Sequence, residues 1–149
     1  MKIEIFIMEK KVEAYLYAHI PITQAMGIKV ELATPQKVIL FAPLANNINH
    51  KKTVFGGSLH AVATLACWSL LYIHLHNEPF QIVITKSEVS YDAPVSEDFR
   101  AECEFPKKEE WDRFIKILKI RGKGRIRLFA KIYQKGKLCV DYHATFAVI

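Results

Sequence analysis

The chain has 149 residues, 51% apolar and 24% charged, with a formal net charge of +6. That is one domain able to build its own core, which excludes a disordered chain and removes any need for a disulfide or metal staple. The three cysteines, Cys67, Cys103 and Cys139, are odd in number and far apart, so they form neither a disulfide framework nor a zinc pattern; free thiols in a cytoplasmic protein are expected.

The positive balance keeps the surface solvated and attracts anions. No zinc, helix-turn-helix or aromatic RNA-binding motif accompanies it, so nucleic acid is not an expected partner. The opening MKIEIFIMEKK lacks a true h-region and a small-residue cleavage site. The one long apolar stretch carries His60, Thr64, His74 and His76, which argues against a membrane span.

Along the chain, Lys10–Ile20 has a weak amphipathic pattern and is stopped by Pro21, so residues 1–20 read as an N-terminal extension with a short helix. Ile28, Val30 and Leu32 alternate as a strand. Pro35 marks a turn, and Val38, Leu40 and Ala42 form a second extended stretch. A polar loop, Asn46–Phe55, leads into an apolar helix over Ser58–His76. The period then changes to two. Phe80–Tyr91 reads as a long strand broken by Ala93-Pro94, and Phe99–Phe105 as another. Arg113–Arg121 is rich in β-formers, with Gly122-Lys123-Gly124 as a hairpin signal. Arg125–Gln134 alternates cleanly, Lys135-Gly136 is a tight turn, and Leu138–Ile149 is the closing strand.

One long helix followed by four or five antiparallel strands implies an α+β domain spanning residues 1–149, its curved sheet wrapped around the helix. The helix is apolar nearly all round and must be buried nearly all round. A sheet covers one side only. A second copy of the chain is the simplest further cover, so a homodimer, or a tetramer built from it, is expected.

The helix begins at Gly56-Gly57. Helix N-termini present unpaired N–H groups and a positive partial charge, and glycine lets a ligand approach them closely. This pair either binds a polarised oxygen or simply turns the chain. Ser58 is an N-cap or a ligand contact. His60, one turn before Thr64 on the same face, is a base or a hydrogen-bonded core histidine. Asn49 serves turn chemistry or offers its amide to a ligand. Lys51 and Lys52 are solvated or meet phosphates. Arg125, Arg127 and Lys131 form a basic strand face suited to a carrier protein. His74 and His76 sit at a helix end, where imidazole suits the dipole, and no metal site is expected.

The segments IPITQAMGIKV (Ile20–Val30), APLANNIN (Ala42–Asn49), TVFGGSL (Thr53–Leu59) and ATLACW (Ala63–Trp68), with the later SYDAPV (Ser90–Val95), resemble the YiiD C-terminal thioesterase domain of the hotdog-fold superfamily. The resemblance covers nearly everything past Ile20. The chain has no room for the acetyltransferase that precedes some relatives, so a stand-alone domain is expected. The resemblance implies hydrolysis of acyl thioesters of coenzyme A or of a phosphopantetheine carrier, without a cofactor. It implies that Gly56, more than Gly57, receives the oxyanion, and that Asn49 and Thr64 orient water or the carbonyl. Lys51, Lys52, Ser58 and His60 would contact substrate. Many relatives carry Asp or Glu where this chain has Thr64, and threonine cannot be a base near neutral pH. A non-catalytic acyl-CoA binding module is therefore a second expectation. A dehydratase, with His50 as the loop histidine, lacks its helix acid. Acyl length stays open.

Overall fold

The computed structural model describes residues 2–149. Helix α1 (Lys2–His19) and a single turn α2 (Ile22–Ala25) precede a hairpin of β1 (Lys29–Ala33) and β2 (Lys37–Ala42). A short α3 (Leu44–Asn47) and a loop lead into α4 (Gly56–Leu75). Then come β3 (Ile82–Tyr91), β4 (Phe99–Glu104), α5 (Lys108–Arg121), β5 (Gly124–Gln134) and β6 (Lys137–Val148). The strands form one antiparallel sheet in the order β1-β2-β4-β5-β6-β3.

Alternation sends one side chain in two to the concave face. Val38 and Leu40 of β2, Phe99 and Ala101 of β4, Leu128 and Ile132 of β5, and Tyr142, Ala144 and Phe146 of β6 are all buried there. Against them lies α4, with Leu59, Val62, Ala63, Ala66 and Leu70 buried. By length and hydropathy α4 would span a bilayer, yet most of it is enclosed by the rest of the fold. The helix wrapped by a sheet, expected from the sequence, is the observed architecture.

Helix α1 is longer than the expected Lys10–Ile20 segment. Residues 2–19 contain neither proline nor glycine, so nothing interrupts the helix until Pro21 forbids helical geometry at Ile20. Its second half packs on the β1 side of the fold. Val12 and Leu16 are fully buried, the Tyr17 hydroxyl donates to the Ile28 carbonyl, and Glu13 Oε1 accepts the Val30 N–H at 2.9 Å. Part of the cover assigned to a second copy is thus supplied by the chain's own N-terminal helix. The opposite edge, β3, has no such neighbour among the described residues: Val83 and Ile84 are each 43% exposed.

The segment Arg113–Arg121 is helix, not strand. Its apolar side, Trp111, Phe114, Ile115 and Leu118, follows the i, i+3, i+4, i+7 helical pattern and packs on the core. A window starting at Arg113 cuts off Trp111 and hides that period. Gly122 is likewise no hairpin residue. It ends α5 in left-handed geometry, φ 70°, with its N–H on the Leu118 carbonyl at 2.8 Å. The real tight turn is Lys135-Gly136, both at positive φ (51° and 77°), as a two-residue hairpin of twisted strands requires.

A Cβ at Gly122 would meet nothing within 4 Å, so Gly122→Ala tests backbone strain alone. It is expected to cost about 1 kcal/mol. In urea unfolding the midpoint should fall with an unchanged slope; an unchanged midpoint would contradict the cap assignment.

Candidate active site

The loop before α4 is built to deliver the helix tip. Its ends are joined by a bridge between Ile48 and Val54, and Asn49 N–H donates to the Thr53 carbonyl at 2.8 Å. The Asn49 carboxamide is fully engaged inside this loop. Its Oδ1 accepts the N–H groups of Lys51 (2.9 Å) and Thr53 (3.1 Å), and its Nδ2 donates to Thr53 Oγ1 (2.9 Å). Asn49 therefore shapes the loop, with a longer Nδ2 contact of 3.5 Å to the Val54 carbonyl. Lys51 and Lys52 are exposed on it, Lys52 at φ 66°. Asn46 and Asn47 reach back to the carbonyls of Ala25 and Met26.

Phe55 ends the loop and is the N-cap residue of α4, without a side-chain cap. Ser58, a buried residue of the first turn, is not the cap. The N–H groups of Ser58 and Leu59 return to the Phe55 carbonyl at 2.9 and 3.2 Å. Among the described residues, no hydrogen bond takes up the N–H groups of Gly56 and Gly57. Neither glycine has positive φ, so conformation does not demand them. A Cβ on Gly57 would lie 2.3 Å from the Phe55 ring, whereas one on Gly56 would make ordinary contact with Tyr91 at 3.6 Å. The Tyr91 hydroxyl donates to the Gly56 carbonyl at 3.0 Å.

Below the tip, α4 presents His60 and Thr64, both half-buried. Three sheet residues come to meet this face. Ser87 Oγ of β3 lies 3.0 Å from His60 Nε2. The Tyr142 ring of β6 is 5.4 Å from the His60 ring, and its hydroxyl is 2.7 Å from Thr64 Oγ1. Tyr91 stands over Gly56. The sequence left all three unassigned, because only strand register decides which strand residues face a given helical turn. Inward alternation of β6 was the one available signal for Tyr142.

Thr64 has one proton to give. Its hydroxyl donates to the His60 carbonyl at 2.9 Å, since a carbonyl can only accept. Tyr142 must then be the donor in the 2.7 Å contact. One lone pair of Thr64 Oγ1 remains, so Thr64 can hold a further molecule only by accepting its proton. No carboxylate takes part in this cluster. The two other histidines of α4's end are occupied separately, His74 with the Pro35 carbonyl and His76 with the Tyr72 carbonyl. Asp92 forms a turn, accepting from the Ser90 hydroxyl at 2.5 Å. The basic strand face of Arg125, Arg127 and Lys131 is exposed. A cleft of about 220 Å³ there is lined by Lys86, Ser87, Glu88, Arg127, His143 and Thr145.

Burial pushes the Tyr142 hydroxyl up to about 12 from an ordinary 10, with a smaller lowering from the Thr64 hydroxyl, which would turn to a phenolate if one formed. Tyr142 therefore remains a neutral donor through the neutral range. The raised value favours the protonated folded state, so its contribution is complete below pH 10 and is lost as pH climbs through 12, about 2–3 kcal/mol in all. Stability measured from pH 9 to pH 12 should fall more steeply in the native protein than in Tyr142→Phe. Parallel curves would mean that the hydroxyl is not buried.

Residues 9–149 match the family model described as "Putative thioesterase (yiiD_Cterm)". A solved protein of unknown function from Chlorobaculum tepidum TLS is 35% identical, with a TM-score of 0.87 over 95% of this chain and 93% of that one. A structure described as a "putative thioesterase" from Shewanella oneidensis is 24% identical, with a TM-score of 0.80 over 95% and 97% of the two chains. A "Probable Thioesterase" from Pseudomonas aeruginosa is 21% identical, with a TM-score of 0.82 over 93% of each. The chain belongs to the YiiD C-terminal thioesterase family, and its wrapped helix is the hotdog fold.

Proposed function

We propose that the protein hydrolyses acyl thioesters of coenzyme A or of a phosphopantetheine carrier. The observation that carries this reading is the pair of unengaged N–H groups at Gly56 and Gly57, at the tip of a buried helix and one turn from His60. The carbonyl oxygen accepts from Gly56 N–H, with Gly57 as a second donor, where the helix dipole stabilises charge as it develops. One such donor contributes about 3 kcal/mol to the transition state.

The attacking water donates one proton to the free lone pair of Thr64, which leaves a water lone pair for the carbonyl carbon. Its other proton passes to His60 Nε2 through the Ser87 hydroxyl, 3.0 Å from that nitrogen. Histidine suits this task near neutral pH. The new C–O bond gives a tetrahedral intermediate, the C–S bond then breaks, and the thiolate recovers the proton from His60. The products are a carboxylic acid and a free thiol. Exposed Lys51 and Lys52 border the tip, where coenzyme phosphates would approach. Asn49 supports this arrangement by fixing the loop.

Thr64 lies eight positions after Gly56, about 12 Å along the axis. A carbonyl and one water barely bridge that span within a single chain. A homodimer in which a second copy brings its own tip towards Thr64 relieves the problem, and the bare β3 edge gives it a place to join. Buried free thiols at Cys67, Cys103 and Cys139 suit the reducing cytoplasm.

The missing carboxylate favours a second reading, a module that binds acyl-CoA without turnover. Thiol release from a panel of acyl-CoA and carrier-bound thioesters separates the two. Hydrolysis is expected, and Thr64→Val and His60→Gln are each expected to lower kcat more than tenfold while the fold is retained. Calorimetric binding without thiol release would establish the module instead. Light scattering should give a particle of twice the chain mass or a multiple of it; a monomer at micromolar concentration would remove the shared site.

A further inference from the structure

Between the sheet on one flank and α1 on the other, a seam of half-buried residues runs down α4: Ala61, Thr64, Trp68 and Tyr72. Helical spacing places them on one stripe. The stripe changes character abruptly. Its upper part is polar at His60 and Thr64. One turn further on, about 6 Å along the axis, stands the indole of Trp68.

That indole is braced from behind. Its ring lies 5.6 Å from Tyr15 at an interplanar angle of 20°, and 5.3 Å from Tyr72 at 17°. Tyr15 and Tyr72 are themselves 4.6 Å apart. Tyr15 belongs to α1, whose neighbouring Val12 and Leu16 are fully buried in the core, so the brace is anchored. Trp68 cannot swing aside without breaking this aromatic cluster. On β3, Ile82 and Ile84 pair with the buried Val148 and Phe146 of β6, and Ile84 is 43% exposed.

We propose that Trp68 is the end wall of the acyl groove and that it restricts the site to short or aromatic acyl groups. This rests on the thioester reading given above. The direction follows from polarity: lysines and free N–H groups at the tip suit the anionic, polarised end of the substrate, and the aromatic seam suits the acyl end. The rise from Thr64 to Trp68, about 6 Å, matches the length of a chain of a few carbons or of a single six-membered ring. A flat aryl group stacks on the braced indole, while a long alkyl chain meets it end on.

The test uses acetyl, butyryl, benzoyl, phenylacetyl, octanoyl and lauroyl thioesters of coenzyme A, together with their non-hydrolysable thioether analogues. The native protein should prefer the short and aryl groups over lauroyl by at least about tenfold. Trp68→Ala should raise kcat/KM for lauroyl and lower it for phenylacetyl, and Trp68→Phe should keep the native profile. Should Trp68→Ala fail to fold, Tyr15→Ala removes the brace from the α1 side and should lengthen the accepted chain. Equal use of lauroyl and butyryl by the native protein would overturn the wall, as would profiles unmoved by these substitutions. If the thioethers bind with the expected selectivity but no thioester is cleaved, hydrolysis fails and the wall stands. If no thioether binds, both fail.

Discussion

A sheet can wrap a helix on one side only, and every other feature of this fold follows from that limit. The central helix α4 is too apolar to leave uncovered. The concave sheet takes the stripe from Leu59 to Leu70, and α1 takes part of the remainder through Tyr15. What is left is a seam starting at the helix tip. Two unengaged N–H groups, an imidazole, two hydroxyls and a tyrosine converge at its upper end, where side chains of β3 and β6 reach in to meet the helix. The polarity of this cluster is tolerable because most of its polar atoms already have partners.

The hydrogen bonds in the cluster restrict its chemistry more than the residue types do. A free threonine could donate or accept. Thr64, committed to the His60 carbonyl and to Tyr142, can only accept. That is a suitable role beside a nucleophilic water, which must give up a proton and keep a lone pair for attack. In the proposed hydrolysis, Thr64 would orient the water and His60, one turn towards the tip, would accept its proton. Ser87 ties that imidazole to the sheet, so His60 is held between two elements and not left on one.

The sequence disclosed what depends on local pattern. The Gly56-Gly57 entry to an apolar run, the strands with clean alternation and the Lys135-Gly136 turn are each readable within a dozen residues. Helix α5 was hidden because its period begins at Trp111, outside the segment that looked β-rich. Its exposed Ile117 and Ile120 mimic strand composition. The partners Ser87, Tyr91 and Tyr142 could not be assigned, since each depends on long-range register: Ser87 sits opposite Ala144, and Val89 opposite Tyr142. From sequence Asn49 reads either as a turn residue or as a ligand contact, and the loop's hydrogen bonds show the turn chemistry.

The two sheet edges tie assembly to chemistry. At the β1 edge the chain supplies its own cover, with Glu13 and Tyr17 engaging the backbone of Val30 and Ile28. At the β3 edge ten residues run uncovered, with apolar Val83 and Ile84 partly exposed. An open edge of that length is a hazard unless something pairs with it. The same strand carries Ser87 to His60 and Tyr91 to Gly56. Any chain that pairs with β3 therefore stabilises the wall of the site as well as the sheet, and in the proposed dimer a single association would protect the edge, close the open side of the seam and deliver a second helix tip. Solubility, enclosure and reactivity would then respond together to any substitution that weakens that edge.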